Sequence, residues 1–401
     1  MSNYGASDIL IRRLADIRSM GLERRLVPIK SFEGTWVMVE GRRLLLMAGN
    51  DYLGLTGHPR LKEAALRAVE AFGTGTGSSR LICGTHCIHS IIEEEIARFA
   101  RSEAALFFNT GYMANLGAVT GLARPGDYIV SDEFNHASII DACRLSRAAV
   151  KVYPHRDAEA ALDLLSKAPR DCLKLLVTEG VFSMDGDEAP LPDLLEAARI
   201  HKAILMVDDA HAVGVRGPGG RGTWEEMGLS PCPELVLIGT FSKALGGTGG
   251  FVAACSEVIN SLVNNARPFI YTTAPPPSQI AAARESLRVI GEEPERRERL
   301  EALCGHFRER LMEEGFETTS ASGPIIPILI GDAGDALAMA AALLENGVLA
   351  PAVRPPTVPK GSSRLRLTVT ASHRIEELDQ AVEALCLARE AMECQRHQAY
   401  L

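Results

Sequence analysis

The stretch "TFSKALGGTGG", residues 240–250, sets Lys243 between small hydroxyl residues and a run of glycines, directly after the apolar "ELVLIG". A lysine at the end of a buried strand is costly as a free cation, so it calls for a charged partner or for condensation with a carbonyl. Two other apolar runs end in groups of comparable chemistry. "LKLLVTEG" leads to Glu179, Ser183 and Asp185, and "AILMVDDAH" leads to Asp208, Asp209 and His211. Thr240 and Ser242 precede the lysine itself. Each residue alone has an ordinary structural explanation, such as an Asp capping the next helix. Together, a carboxylate, an imidazole and a lysine at successive strand ends suit a pyridine aldehyde cofactor, which needs a lysine Schiff base and an acid beside its ring nitrogen.

Positioning these groups requires a sheet whose strands end on one edge. The runs "AALFFN", "DYIVSD", "VKVYP", "LKLLVTEG", "AILMVDDAH", "LVLIGT" and "GGFVAAC" alternate with helical spacing such as "LKEAALRAVEAFG" and "IHSIIEEEIARFARS". That alternation predicts a mostly parallel sheet covered by helices, with ligands at the carboxyl ends of its strands. After "YTTAPPPSQ" the spacing predicts one long helical region to Gly315. Strands at "IIPILIG", "GVLAPAVRPPTVP" and "SRLRLTVT" and a last helix then predict a smaller α+β unit. The expected division is an N-terminal helix and strand segment over 1–50, a large α/β domain over 51–285 and a small C-terminal domain over 286–401.

Composition narrows the classes. The 401 residues are 46% hydrophobic and carry a net charge of -9, which suits a large buried core and argues against a nucleic-acid partner. The nine cysteines include no CxxC pair, and "CGTHCIH" at 83–89 reads as a turn entering a helix, so no metal is expected. The first residues read as an amphipathic helix without the uncharged core of a signal peptide, and no run has membrane-spanning length; a cytoplasmic protein is expected. "GTGTGSS" follows a helix, and the chain has neither a GxxxxGK[ST] loop nor a GxSxG elbow, which removes dinucleotide, P-loop and serine-hydrolase readings.

The stretches "NDYLGL", "FNHASIIDACR", "TEGVFSMDGDEAPL", "VDDAHAVGV", "TFSKALGG" and "RPPTVPKGSSRLRLTVTASH" resemble the α-oxoamine synthases, acyltransferases that use pyridoxal 5'-phosphate. The resemblance runs from about residue 24 to about residue 375. It implies the aspartate aminotransferase-like fold of pyridoxal-phosphate-dependent transferases (fold type I). "TEGVFSMDGD" and "RPPTVP" are most similar to members that condense L-alanine with a pimeloyl thioester in biotin biosynthesis, the acyl carrier being coenzyme A or an acyl carrier protein. "RLICGTH" and the "PKG" turn are similar to members that join glycine to acetyl-CoA. A catalytically dead partner subunit is a third reading, although such a relative is expected to lose the lysine that is present here.

The resemblance also implies roles. Lys243 binds the cofactor aldehyde and later acts as the base; Asp208 holds the ring nitrogen protonated, leaving Asp209 structural. His211 and Ser183 hydrogen-bond the ring's phenolic oxygen, and His136 covers the ring face and orients the thioester carbonyl. Gly111 and Tyr112, with Thr240, cradle the phosphate. Arg366 takes the substrate carboxylate with Asn50 nearby, and Arg24 (or its neighbour Arg25) and Thr357 contact the acyl group. Ala212 stands where many relatives carry glycine. A homodimer is expected, with Thr272 and Thr273 of one chain reaching the phosphate held by the other.

Overall fold

The computed structural model describes residues 5–24, 26–319 and 321–399. The described residues form fourteen strands: β1 (Ile29–Glu33), β2 (Trp36–Val39), β3 (Arg42–Leu46), β4 (Ala104–Phe108), β5 (Tyr128–Asp132), β6 (Ala149–Tyr153), β7 (Lys174–Glu179), β8 (Ile204–Asp208), β9 (Leu235–Thr240), β10 (Gly250–Ala254), β11 (Ile325–Gly331), β12 (Val348–Leu349), β13 (Ala352–Val353) and β14 (Ser363–Thr368). The central sheet has the order β4-β10-β9-β8-β7-β5-β6. It is parallel from β9 to β6, and only β10 runs against its neighbours.

The strands read as unbroken apolar runs because both faces of the sheet are covered. Leu176, Leu205, Val207 and Leu237 point into one core cluster, with Ile92, Ile96, Leu194 and Ile280 from covering helices. Their sequence neighbours Leu175, Val177, Met206, Val236 and Ile238 point into the other, with Ala118, Ile139 and Leu262. Alternate residues thus face opposite layers. Full burial of such a side chain contributes roughly 1.5–3 kcal/mol, so the sheet forms a rigid floor for the loops at its edge.

Two smaller sheets complete the chain. One pairs β1, β2 and β3 with β12, and the other has the order β11-β14-β13. Two expectations need correction. The helical region expected from residue 280 to 315 is two helices, Pro277–Glu292 and Glu295–Glu313. Pro294 between them has no N–H to continue the first ladder. "GVLAPAVRPPTVP" is likewise not one strand: Val348–Leu349 joins β3 and Ala352–Val353 joins β14, with Pro351 at the break. The expected N-terminal helix spans Ala6–Ser19, yet none of its residues is buried. Among the described residues no helix is long and apolar enough to cross a membrane.

Candidate active site

β7, β8 and β9 lie side by side, so Glu179, Asp208 and Thr240 at their last positions come together. Lys243 follows Thr240 on a loop anchored by buried Phe241, Ala244 and Leu245. The Phe241 N–H donates to the Gly249 carbonyl at 2.9 Å, and the Thr240 hydroxyl donates to the same oxygen at 2.7 Å. This turn aims the lysine back over the strand ends. A cavity of about 210 Å³ results, lined by Gly111, Tyr112, Asn115, His136, Ser138, Glu179, Asp208, His211, Thr240, Ser242 and Lys243.

The amine and the imidazole touch. Lys243 Nζ lies 2.8 Å from His211 Nε2, and His211 Nδ1 lies 2.8 Å from the Tyr52 hydroxyl. That hydroxyl is 3.1 Å from Asn50 Oδ1, and Arg366 donates to it at 3.3 Å. A polar chain therefore joins the amine to Arg366 and Asn50. Burial pulls the Lys243 pKa down to about 8, against the pull of the Asp208 charge. Burial and then the nearby Lys243 and Arg366 charges hold the His211 pKa well below the imidazole range, so its ring is neutral.

Asp208 is fixed from two sides. Its Oδ2 accepts from Asn115 Nδ2 at 2.6 Å, and its Oδ1 accepts from the Ala210 N–H at 3.0 Å. Asn115 also donates to Ser138 Oγ at 3.0 Å, and Ser138 Oγ lies 2.7 Å from His136 Nδ1. The Ser138 N–H also donates to Nδ1, at 3.2 Å. An N–H can only donate, so Nδ1 is the bare nitrogen of a neutral His136 and the proton sits on Nε2. Burial lowers the His136 pKa in keeping with that form. Asp209 points elsewhere, accepting from the Thr223 N–H at 2.8 Å and its hydroxyl at 2.6 Å. Those two bonds tie the end of β8 to Thr223.

Gly111 opens the helix Gly111–Leu122, with Thr110 as its cap accepting the Met113 N–H at 3.1 Å. The Gly111 and Tyr112 N–H groups belong to the first turn, where a helix has no acceptor of its own, so they are free to hold an anion beside Thr240.

The other candidates are placed as follows. Arg366 on β14 donates from Nε to the Ser183 carbonyl at 2.5 Å and reaches Asn50 Oδ1 at 3.3 Å. Ser183 thus meets the site through its carbonyl, and its hydroxyl does not line the cavity. Thr272 and Thr273 do not line the cavity of their own chain; the Thr273 carbonyl accepts from Asn109 at 3.1 Å. Arg24 and Thr357, distant in sequence, line one trough of about 560 Å³ with Leu337, Ala340, Leu344 and Val353. Arg354 ties the two segments together by donating to the Gly21 and Glu23 carbonyls. Arg25 lies outside the described residues. A larger cavity, about 680 Å³, lies away from these groups, and its Arg216 is already engaged by Glu188, Glu226 and Ser322.

Sequence reasoning missed Asn115, Ser138 and Tyr52. Tyr52 sits within the "NDYLGL" stretch, which was its available signal. Asn115 lies 93 residues from the carboxylate it holds, and no local pattern marks it.

This fold and this lysine-centred site define a pyridoxal-phosphate-dependent transferase of the α/β class. Residues 42–385 match the family described as Aminotransferase class I and II. The 8-amino-7-oxononanoate synthase of Lysinibacillus sphaericus is 46% identical over 379 residues, covering 94% of this chain and 97% of that protein. The enzyme of the same name from Geobacter sulfurreducens is 46% identical over 375 residues, covering 93% and 95%. Among solved structures, a serine palmitoyltransferase from S. paucimobilis with bound PLP-myriocin superposes with a TM-score of 0.90 at 33% identity, covering 96% of this chain and 98% of that one. An 8-amino-7-oxononanoate synthase from Francisella tularensis superposes with a TM-score of 0.75 at 29% identity, covering 87% and 98%. The chain belongs to the aminotransferase class I and II family and, within it, to the α-oxoamine synthases.

The cavity fits pyridoxal phosphate on its own chemistry. Asn115 Oδ1 and Glu179 Oε1 are buried polar atoms without a partner, both on cavity-lining residues. The helix start at Gly111 leaves no room for a larger side chain on β10, since a Cβ on Gly250 would meet the Gly111 backbone at 2.7 Å.

Proposed function

We propose that the protein joins L-alanine to a pimeloyl thioester, carried on coenzyme A or an acyl carrier protein, with release of the thiol and carbon dioxide. This is the biotin-pathway reaction of the 8-amino-7-oxononanoate synthases. The observation that carries the reading is the cavity in which Lys243, Asp208, His211, His136 and the Gly111 and Tyr112 N–H groups meet, beside Arg366.

Bound there, pyridoxal phosphate supplies an aldehyde that captures amines and a protonated ring that draws electrons from the α-carbon of the captured amino acid. Asp208, held by Asn115 and Ala210, keeps its remaining lone pairs for the ring N–H and stabilises that proton by its charge. The Gly111 and Tyr112 N–H groups would take the phosphate, and Thr240 would join them by turning its hydroxyl proton away from the Gly249 carbonyl. Arg366 and Asn50 take the alanine carboxylate, since a guanidinium fork matches two carboxylate oxygens. Lys243, neutral in much of its population near pH 8, would take the α-proton of the bound alanine at Nζ. His211 accepts or donates at Nε2 as the amine changes form, with its far nitrogen buffered by Tyr52. His136, which lines the cavity with its proton on Nε2, would cover the ring face and offer that proton to the thioester carbonyl. After decarboxylation, Lys243 returns a proton to the carbon.

The mostly apolar trough that Arg24 and Thr357 line supports a long acyl chain with a charged far end. An acetyl group needs neither. We also propose a homodimer in which the partner subunit's Thr272 and Thr273 complete the phosphate site. Exposed Ile82 and Tyr271, together with the uncovered helix Ala6–Ser19, support an interface there. A cytoplasmic location accords with the nine unpaired cysteines.

The deciding experiment supplies the loaded enzyme with L-alanine plus pimeloyl-CoA and, separately, with glycine plus acetyl-CoA, and measures thiol and carbon dioxide release. Turnover with the first pair alone is expected. Turnover with the second pair alone overturns the substrate assignment and leaves the cofactor site standing.

A further inference from the structure

His155 follows β6, outside the cofactor cavity, and no step above uses it. Both its nitrogens are engaged: Nδ1 lies 2.9 Å from Asp132 Oδ1, and Nε2 lies 2.9 Å from Asp187 Oδ2. An ionised carboxylate only accepts, so the ring donates from both nitrogens, which makes it an imidazolium. Its faces are closed by aromatic rings. Phe134 stacks on it with centroids 4.5 Å apart, and Phe182 meets it edge-on at 4.4 Å. Burial alone pulls the pKa of this ring down, and the Asp132 and Asp187 hydrogen bonds and charges more than reverse that, to about 9.

Neighbouring groups hold the two aspartates in place. Asp132 also accepts from the Phe134 and Arg156 N–H groups, each at 2.9 Å, and Asp187 accepts from the Arg156 guanidinium at 3.3 Å. Glu133 accepts the His155 N–H at 2.9 Å. Each aspartate belongs to a segment that enters the active site. Asp132 ends β5, and the segment after it carries His136 at the head of the helix Ala137–Ser146. Asp187 closes the turn after β7, where its carbonyl accepts the Phe182 N–H at 2.9 Å. In that turn the Ser183 carbonyl receives Arg366. One cation is therefore shared between the segment that supplies the ring-facing histidine and the segment that seats the carboxylate-binding arginine.

We propose that His155 is a positioning residue for the cofactor site: as a cation held between Asp132 and Asp187, it sets the spacing between the His136 segment and the Ser183 segment. The proposal rests on cofactor binding at Lys243 and not on the identity of the acyl substrate. Its tests need no acyl thioester, so failure of the pimeloyl reaction leaves them informative.

The test compares wild-type apoprotein with His155→Gln, which retains similar bulk but donates through one group and carries no charge. Each is titrated with pyridoxal phosphate, following the visible Schiff-base absorption and its circular dichroism, across a pH series. Near pH 7 the variant is expected to bind the cofactor about tenfold more weakly, the scale of one lost charge-assisted hydrogen bond. The folded-state pKa lies above the ordinary value. The interaction is therefore complete below that value and fades as pH rises through about 9. Wild-type affinity should carry this extra fall, and the variant should lack it. The titration of Lys243 is common to both proteins, so the difference between the two profiles isolates His155. A folded variant with wild-type affinity and an unchanged pH profile overturns the proposal, even if its melting temperature is lower. If His155→Gln fails to fold, Asp187→Asn decides: it should shift the fall in affinity to lower pH, and an unchanged profile overturns the proposal.

Discussion

Gly250 gives the sharpest test of the phosphate cradle. It opens β10, which is paired on both sides, with Phe108 of β4 opposite and Thr240 of β9 opposite. A Cβ there would lie 2.7 Å from Gly111 Cα, 2.7 Å from the Thr110 carbonyl oxygen and 2.8 Å from the Gly111 nitrogen. The near edge of ordinary contact is 3.4 Å, so the shortfall is about 0.7 Å, and every obstructing atom is backbone. Strand pairing holds β10, and the start of the helix Gly111–Leu122 must therefore move. Overpacking of this kind costs roughly 1–3 kcal/mol of stability. The same displacement stretches a phosphate hydrogen bond from about 2.9 Å to about 3.6 Å, outside the productive range. Hydrogen bonds to charged groups contribute about 1.5–3 kcal/mol each. Weakening two of them makes a loss of about 3 kcal/mol reasonable, which is about a hundredfold in affinity. Gly250→Ala apoprotein, titrated with pyridoxal phosphate and followed by visible circular dichroism, should show that loss while retaining its far-ultraviolet spectrum. Gly305→Ala is the control, because a Cβ there meets nothing within 4 Å and the position lies inside a helix. It should leave binding unchanged and stabilise slightly. Wild-type cofactor affinity in a folded Gly250→Ala protein would refute the assignment of this helix start as the phosphate site.

The remaining predictions follow from charge and exposure. Lys243 has a pKa lowered to about 8, so apoprotein should condense with an aldehyde faster as pH rises through that value, where the nucleophilic neutral amine replaces the cation; stopped-flow traces with no rise until about pH 10 contradict the burial reading. Lys243→Ala should show no borohydride-reducible visible band and no thiol release. Arg24 is exposed and its charge is screened, so Arg24→Ala should raise KM for the pimeloyl thioester only about three- to tenfold while leaving KM for alanine alone; equal effects on both substrates refute its placement at the acyl end. Light scattering should give a dimer mass, and a monomer that still turns over would exclude the role of the partner subunit's Thr272 and Thr273.

Much of this site was legible in sequence because its key groups end apolar runs. Asp208 and Thr240 are the last residues of β8 and β9, and Lys243 and His211 follow within three residues. Burial on both faces of the sheet makes those strands unbroken in hydrophobicity, and the first polar residue marks the edge where ligands bind. The groups that hold these residues in place left no such mark. Asn115 points at Asp208 from a helix whose sequence, "GYMANLGAVTGL", is small and apolar enough to pass as packing. Ser138 and Tyr52 act through contacts made only once distant segments meet. The misread elements failed for local reasons. Helical spacing continues across residues 277–313, so periodicity alone joined two helices that Pro294 separates. The alternation in "GVLAPAVRPPTVP" gave no sign that its halves enter different sheets.

The site's electrostatics explain why an amine that must be a base sits among so many ionisable groups. Glu179 pairs in register with Asp208, and burial together with that neighbouring charge raises its pKa well above the carboxylate range. A protonated Glu179 leaves Asp208 as the carboxylate beside the lysine. His211, between Lys243 and Tyr52, is held neutral by burial and nearby cations, and His136 is neutral with its proton on Nε2. Each neutralised neighbour removes a charge that would otherwise fix Lys243 as an ammonium ion or repel the ring proton that Asp208 must hold. Glu179→Gln imitates the protonated acid and should therefore leave the pKa of the Schiff-base absorption near its wild-type value. Glu179→Ala opens a void beside Asp208 and should not. A large shift in the Gln protein alone would mean that Glu179 is ionised and that the charge balance of the site runs through two carboxylates, not one.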